Sequence, residues 1–330
     1  MAQIRHRILR FAIATLIAAG LAIPGNARAQ QTTWAELASF GYGISANVTY
    51  GHANNTALHL DVWQNVAAKG PVPTLMYIHG GGWLIGDKLG AANLVLPYVE
   101  RGWNVVNIEY RLGGNSLAPA AVEDTRCALR WIYNNAGQYH FDLNRIVVSG
   151  HSAGGHLALM AGMLPGGTDL DSECPADAGD LPLKVAAIVN WYGITDVNDL
   201  LEGPNRKTYA VAWIGANSNS RQLAKEVSPL TYVRPGLPPV ITIHGDKDPT
   251  VPYSQAVRLQ QALTAQRVAN ELVTVPGGVH GSYSNNETLR AFGEIWKFLD
   301  IHGIEPRGDT VSREETTPSA GTTLRQETKK

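Results

Sequence analysis

Arg145-Ile146-Val147-Val148-Ser149, then Gly150-His151-Ser152-Ala153-Gly154, then Gly155-His156-Leu157-Ala158-Leu159-Met160-Ala161 reads as a strand, a tight turn and a helix in immediate succession. The glycines on either side of the turn lack a Cβ, so the backbone can reverse sharply and leave the Ser152 hydroxyl alone at its tip. The helix that starts beneath it points free N–H groups and the positive end of its dipole at that hydroxyl. In a chain with 34 glycines the bare G-x-S-x-G pattern can arise by chance, so the strand before it and the helix after it carry the argument.

The same alternation continues outward. Strands are expected near Ala46–Tyr50, Ala57–Trp63, Thr74–Ile78, Trp103–Ile108, Val185–Asn190, Val240–His244 and Glu271–Val275. Helical spacing runs through 118–136, Ser254–Gln266 and Asn286–Ile301. Short apolar strands separated by helices of this length predict an α/β fold, with a mostly parallel central sheet covered by helices on both faces. The first strands are too closely joined for a crossover helix, which predicts an antiparallel opening. Residues 166–235 break the rhythm with short pieces rich in Asn, Asp and Gly, and are expected to form a small cap-like insertion bearing on substrate choice.

Composition narrows the class. The chain has 330 residues, 44% hydrophobic, with a net charge of −1. No linker divides it, so a single catalytic domain over 30–304 is expected. Charges of both signs are interspersed, with no basic stripe for a nucleic-acid partner. Residues 1–29 read as a signal peptide: a basic start (Arg5, Arg7, Arg10), an apolar run from Phe11 to Ile23, then Ala27-Arg28-Ala29 as a small-x-small cleavage site. Cleavage after Ala29 would make the mature protein periplasmic or secreted, with no membrane attachment; a retained anchor is the alternative. Cys127 and Cys174 could pair in such a compartment or remain free thiols. The tail, 305–330, has almost no large apolar residue and is expected to be disordered.

Three further motifs accompany the serine turn. His79-Gly80-Gly81-Gly82-Trp83 follows a strand, and its glycines allow the N–H groups of Gly81 and Gly82 to turn into a cavity. With the Ala153 N–H they would bind a negative oxygen. His244-Gly245-Asp246-Lys247-Asp248 closes another strand and offers two carboxylates to orient an imidazole. Asp248 is favoured, and Asp246 reads as a turn residue. His280 lies in Pro276-Gly277-Gly278-Val279-His280-Gly281, a loop able to bring a general base to the serine. The other histidines have plainer readings: His79 and His244 as loop ties, His151 as the variable residue of the turn. None of them has metal-ligand spacing, and no metal or other cofactor is expected. Trp83, Trp191 and Tyr192 could wall a substrate pocket; core packing is the alternative for such aromatics, and the favoured one for Trp191.

With these residues in place the chain resembles esterases of the α/β-hydrolase fold. It is similar to the hormone-sensitive-lipase-like branch, and more so to the secreted bacterial feruloyl and acetyl-xylan type. The resemblance rests on Tyr77-Ile78-His79-Gly80-Gly81-Gly82-Trp83, Gly86-Asp87-Lys88, Glu109-Tyr110-Arg111-Leu112, the serine turn, Trp191-Tyr192-Gly193-Ile194-Thr195-Asp196 and Ser228-Pro229-Leu230. One departure is Gly113-Gly114-Asn115-Ser116-Leu117, which intervenes before Ala118-Pro119. The resemblance implies Ser152, Asp248 and His280 as a catalytic triad in the Ser…Asp…His order of that fold. It further implies Gly81, Gly82 and Ala153 as oxyanion donors, and a small-molecule or polysaccharide-linked ester as substrate, acetyl or feruloyl esters among them. An arylformamidase, a peptidase-type hydrolase with the same triad, and a non-catalytic binding protein are the alternatives.

Overall fold

The computed structural model describes residues 41–171, 174, 183–216 and 218–305. The expected leader, and the expected tail beyond Glu305, lie outside the described residues. The chain divides into two units, Met1–Tyr42 and Gly43–Lys330, and the fold below is that of the second. Its strands are β1 (Tyr42–Ala53), β2 (Thr56–Asn65), β3 (Val72–Ile78), β4 (Asn104–Ile108), β5 (Phe141–His151), β6 (Ala187–Trp191), β7 (Val240–Gly245) and β8 (Asn270–Val275). Between them run α1 (Ala92–Glu100), α2 (Ala120–Asn134), α3 (Ala153–Met163), α4 (Thr208–Ile214), α5 (Ser220–Glu226) and α6 (Ser254–Ala265), with α7 (Asn285–Ile301) after β8.

The strands form one eight-stranded sheet in the order β1-β2-β4-β3-β5-β6-β7-β8. β1 and β2 are joined by Asn54 and Asn55 alone, both at positive φ. That is the two-residue turn whose twist suits an antiparallel hairpin, and asparagine tolerates it better than other side chains. β2 runs antiparallel to β4, and from β4 through β8 every pairing is parallel. This is the α/β-hydrolase fold.

Alternation along the strands divides the core. On one face Met76, Ile78, Ile146 and Val148 pack with Leu157 and Met160 of α3 and Leu129 of α2. On the other, α1 and α7 meet through Tyr98, Phe292 and Trp296, and Trp191 of β6 rests on Phe292 with ring centroids 5.3 Å apart. α3 is buried on nearly every side, which is why its sequence is apolar without a polar stripe.

The chain order fixes where a site can form. From β3 the chain crosses α1 to β4, then returns through α2 across β3 to β5. The sheet order therefore reverses between β3 and β5, and their carboxyl ends open a crevice there. The loop His79–Gly82 leaves β3 and Ser152 leaves β5, side by side, because Ile78 is paired with Gly150.

Candidate active site

Ser152 holds a backbone that side chains rarely adopt, φ 56° and ψ −121°, between β5 and α3. Neighbouring contacts enforce it. A Cβ on Gly154 would lie 2.0 Å from the Ile78 carbonyl oxygen, and one on Gly150 2.4 Å from that of Gly154, so only glycine lets the turn seat against β3. The Ser152 N–H donates to the Trp191 carbonyl at 2.9 Å and the Ser152 carbonyl accepts from the His156 N–H at 3.0 Å. The strain is thus held from both sides.

His280 Nε2 lies 2.8 Å from Ser152 Oγ, and His280 Nδ1 lies 2.7 Å from Asp248 Oδ2. Three residues far apart in sequence therefore form one hydrogen-bonded chain. The loops bearing the last two are stitched together: Asp246 Oδ1 accepts from the Gly277 N–H at 2.7 Å, and the Lys247 N–H donates to the Gly278 carbonyl at 3.0 Å. Asp246 is thus a structural tie, as its reading as a turn residue anticipates, but it bonds the neighbouring loop rather than its own.

Asp248 is held by four donors. Oδ1 accepts from the Thr250 and Val251 N–H groups at 2.8 and 3.0 Å. Oδ2 accepts from His280, and His244 Nε2 stands 3.2 Å from the same oxygen. Burial pushes the carboxyl upward, but the hydrogen bonds from His244 and His280 outweigh it and hold Asp248 well below the usual carboxylate range. His244 also reaches the Val251 carbonyl at 3.0 Å and is fully buried. Its contact with the acid is absent from the sequence reading, which made it a loop tie.

A cavity of about 440 Å³ opens above Ser152. It is lined by glycines 81, 82 and 281, by His151, Ser152, Tyr192 and His280, and by Tyr209, Thr250 and Ser282. Tyr209 comes from α4, inside 166–235. Its side chain lies over Gly82, where a Cβ would come within 3.2 Å of the Tyr209 Cβ and 3.3 Å of its ring, and its hydroxyl donates to the Thr250 carbonyl at 3.1 Å. Tyr209 has no motif around it in sequence, and only the fold brings it here. Tyr192, at positive φ, packs its ring on His280 with centroids 4.8 Å apart. Burial and the Asp248 charge push the hydroxyls of Tyr192 and Tyr209 upward, so both remain protonated.

Two aromatics go elsewhere. Trp83 is fully buried, stacked on Trp213 at 4.1 Å, with its indole N–H donating to His156 Nδ1 at 3.2 Å. The chain turns it inward because Trp83 sits at φ 62° and the Leu84 and Ile85 N–H groups fold back onto the Gly81 carbonyl. Trp191 is core as well, under Phe292. Of the three candidate pocket aromatics only Tyr192 lines the cavity.

Near the serine the neighbouring main-chain donors are already engaged: Gly80 with His151, Leu84 and Ile85 with Gly81, Ser152 with Trp191. Gly81, with φ +112°, has its would-be Cβ 1.9 Å from the Ile85 carbonyl oxygen, and Gly82, with φ +60°, follows it at the cavity wall. Ala153 is the first residue of α3 and has no intrahelical acceptor for its N–H. Among the described residues no group of three or more His, Cys, Asp or Glu could hold a metal, and no helix is long and apolar enough to cross a membrane.

A disulfide, Cys127–Cys174, ties α2 to the segment after α3. Beside it the buried Arg126 guanidinium holds Asp171 at 2.7 Å and donates to the Ala161 carbonyl at 3.0 Å.

An α/β-hydrolase fold with a serine, a histidine and an aspartate aligned at the switch point defines the class. The family described as BD-FAE matches residues 60–263. The chain belongs to the BD-FAE family. Esterase LipC of Mycobacterium tuberculosis is 30% identical over 243 residues, covering 71% of this chain and 59% of LipC. The chain spans half to three-fifths of the length of LipM, LipC and LipQ of Mycobacterium tuberculosis. Among solved structures, the butyrate-bound esterase Est2 of Thermogutta terrifontis superposes with a TM-score of 0.68 at 25% identity, covering 82% of this chain and 97% of Est2. A bifunctional GH43-CE protein of Bacteroides eggerthii gives 0.67 at 28% identity, covering 78% and 38%.

Proposed function

We propose that this chain is a serine carboxylesterase acting through an acyl-Ser152 intermediate. The observation that carries the proposal is the unbroken Ser152–His280–Asp248 chain of hydrogen bonds at the floor of an open cavity. Because the Asp248 carboxylate is ionised, it accepts from His280 Nδ1–H, which leaves Nε2 bare to take the Ser152 proton. The serine oxygen attacks the ester carbonyl as His280 takes that proton. The negative oxygen of the tetrahedral intermediate is received by the Gly81, Gly82 and Ala153 N–H groups. Each such donor is worth about 2.7–4 kcal/mol of barrier. His280 then protonates the departing alkoxide, activates water, and the acid is released.

The lining, in which Tyr192 and Tyr209 offer flat aromatic faces, supports a short or an aromatic acyl group and a hydroxylated alcohol. Among the described residues around the cavity none is Leu, Ile, Val, Phe or Met. A long acyl chain would gain about 0.8 kcal/mol per buried CH₂, and the described lining offers it no aliphatic side chain to pack along. Acetyl or feruloyl esters on polysaccharide fit this reading, and so does the similarity to the GH43-CE protein. The insertion read over 166–235 acts in it as the cap, and Tyr192 and Tyr209 are the cavity-lining residues it contributes. The protein is exported in the same reading, with Gln30 as the mature N-terminus; the Cys127–Cys174 bridge, a bond typical of oxidising compartments, supports it.

The test is hydrolysis of p-nitrophenyl acetate by the mature protein beside its Ser152→Ala variant. Turnover is expected to fall by about 10⁶-fold in the variant. Equal rates in both would remove Ser152 as nucleophile. Acetyl, butyryl, octanoyl and feruloyl esters, with an anilide and a formamide, then separate the substrate classes.

A further inference from the structure

The residue before the serine, His151, points its ring toward the loop after β3 rather than toward the triad. Its Nε2 accepts the Gly80 N–H at 3.2 Å, and its Nδ1 lies 2.7 Å from the Tyr77 hydroxyl. The fit is close: a Cβ on Gly80 would stand 2.7 Å from His151 Nε2 and 2.8 Å from its carbonyl oxygen. Strand pairing makes this contact possible, since β3 and β5 are adjacent with Tyr77 opposite Ser149 and Ile78 opposite Gly150. The imidazole is thus wedged between the end of β3 and the first residue of the glycine run.

From this arrangement we infer that His151 is a positioning residue for the oxyanion loop, with Tyr77 selecting the tautomer that lets it serve. The inference rests on the esterase reading above. The Gly80 N–H can only donate, so Nε2 is bare. In a neutral ring the proton is then on Nδ1, and Nδ1–H donates to the Tyr77 oxygen. Burial, with the imidazoles of His79 and His280 nearby, pushes His151 down to about 4, so the ring is neutral at ordinary pH. Tyr192, 6.3 Å away between ring centroids, and Tyr77 are the other titratable groups facing it. With Gly80 anchored through its N–H, the next two donors, Gly81 and Gly82, are fixed relative to Ser152, which follows His151 directly in the chain. One side chain thereby couples the nucleophile turn to the loop that receives the negative oxygen. A donor aimed in advance contributes far more than one that must reorient during the reaction.

The experiment compares wild type with His151→Leu, His151→Gln and Tyr77→Phe. Active sites are counted by a fluorophosphonate that labels Ser152, and rates are expressed per labelled site. His151→Leu is expected to lower kcat for p-nitrophenyl acetate about ten- to a hundredfold with KM within about twofold. Affinity for an aryl trifluoromethyl ketone, whose hemiketal anion needs the same donors, is expected to fall by the same factor as kcat. Glutamine can place its carbonyl oxygen where Nε2 stood, so His151→Gln is expected to recover most of the loss. Tyr77→Phe is expected to lower kcat by about two- to fivefold. Imidazole ¹⁵N shifts of the wild type, assigned through His151→Gln, are expected to show Nδ1 protonated and Nε2 bare. Wild-type kcat per site in His151→Leu, a loss confined to KM, or a protonated Nε2 would overturn the inference. The nitrogen shifts decide even where His151→Leu fails to fold. Absence of ester turnover in the wild type would instead sink the esterase reading.

Discussion

On the β3–β5 side of the cavity the proposed working groups are main-chain N–H donors, at Gly81, Gly82 and Ala153. On the β7–β8 side they are side chains, Asp248 and His280, carried on two loops tied by Asp246 and Gly277. The first side depends on backbone angles: φ +112° at Gly81, φ +60° at Gly82 and φ 56° at Ser152. The second depends on charge and hydrogen bonding, with four donors around one carboxylate. Damage to the two sides should therefore look different. A side-chain exchange can remove charge and leave shape, whereas a backbone exchange removes shape first.

Asp248→Asn is the strongest test of the second side. It is expected to lower kcat by about 10⁴-fold, because an amide favours the wrong imidazole tautomer. Near-ultraviolet circular dichroism should show an intact fold. A loss below about tenfold would mean that the carboxylate is not what orients His280. Gly81→Ala probes the first side. Its Cβ would meet the Ile85 carbonyl at 1.9 Å, so kcat is expected to fall by about 10²–10³-fold with a lowered Tm. If activity falls with no change in Tm, the contrast between the two sides is wrong. His244→Phe keeps the buried ring and deletes one donor to Asp248. A hydrogen bond to a charged group is worth about 1.5–3 kcal/mol, so kcat/KM should drop about ten- to a hundredfold, measured on the same ester.

A further effect, independent of the two sides, is on stability against pH. His151 and His156 are both held near 4 by burial, against 6.5 when exposed. Between those values the unfolded chain binds more protons than the fold. Stability is thus complete above about 6.5 and declines as pH falls toward 4, by about 3 kcal/mol for each ring at most. Asp248, held below the ordinary carboxylate range, adds its own loss only at lower pH, below about 4. Denaturant midpoints across this window, with His156→Gln expected to flatten the slope, provide the measurement.

The same division governs how far the site could be read from sequence. Strands with bounded apolar runs, such as Thr74–Ile78 and Val240–His244, lie in the sheet where expected, and the serine turn stands between β5 and α3 as its pattern requires. Ser152, Asp248 and His280 meet because each sits in a motif with its own local punctuation. α1 is absent from the reading because Pro97 interrupts its pattern, yet tertiary packing of Val95, Tyr98 and Val99 keeps it helical. Tyr209 and His151 owe their positions to contacts across 41 and 71 residues. No periodicity carries such contacts. Trp83 shows the converse: next to a glycine run it reads as a pocket wall, but its left-handed backbone sends the indole into the core.

The segment after α3 is fastened to α2 by two chemically unlike devices. A thiol reductant cuts Cys127–Cys174 and leaves Arg126–Asp171 untouched. In the chain-entropy picture a loop of 47 residues makes the first worth about 4 kcal/mol. Handling follows from that asymmetry. Protein made in a reducing cytoplasm, or stored with dithiothreitol, would lose heat tolerance, and assays of shelf life on such material would understate the oxidised protein.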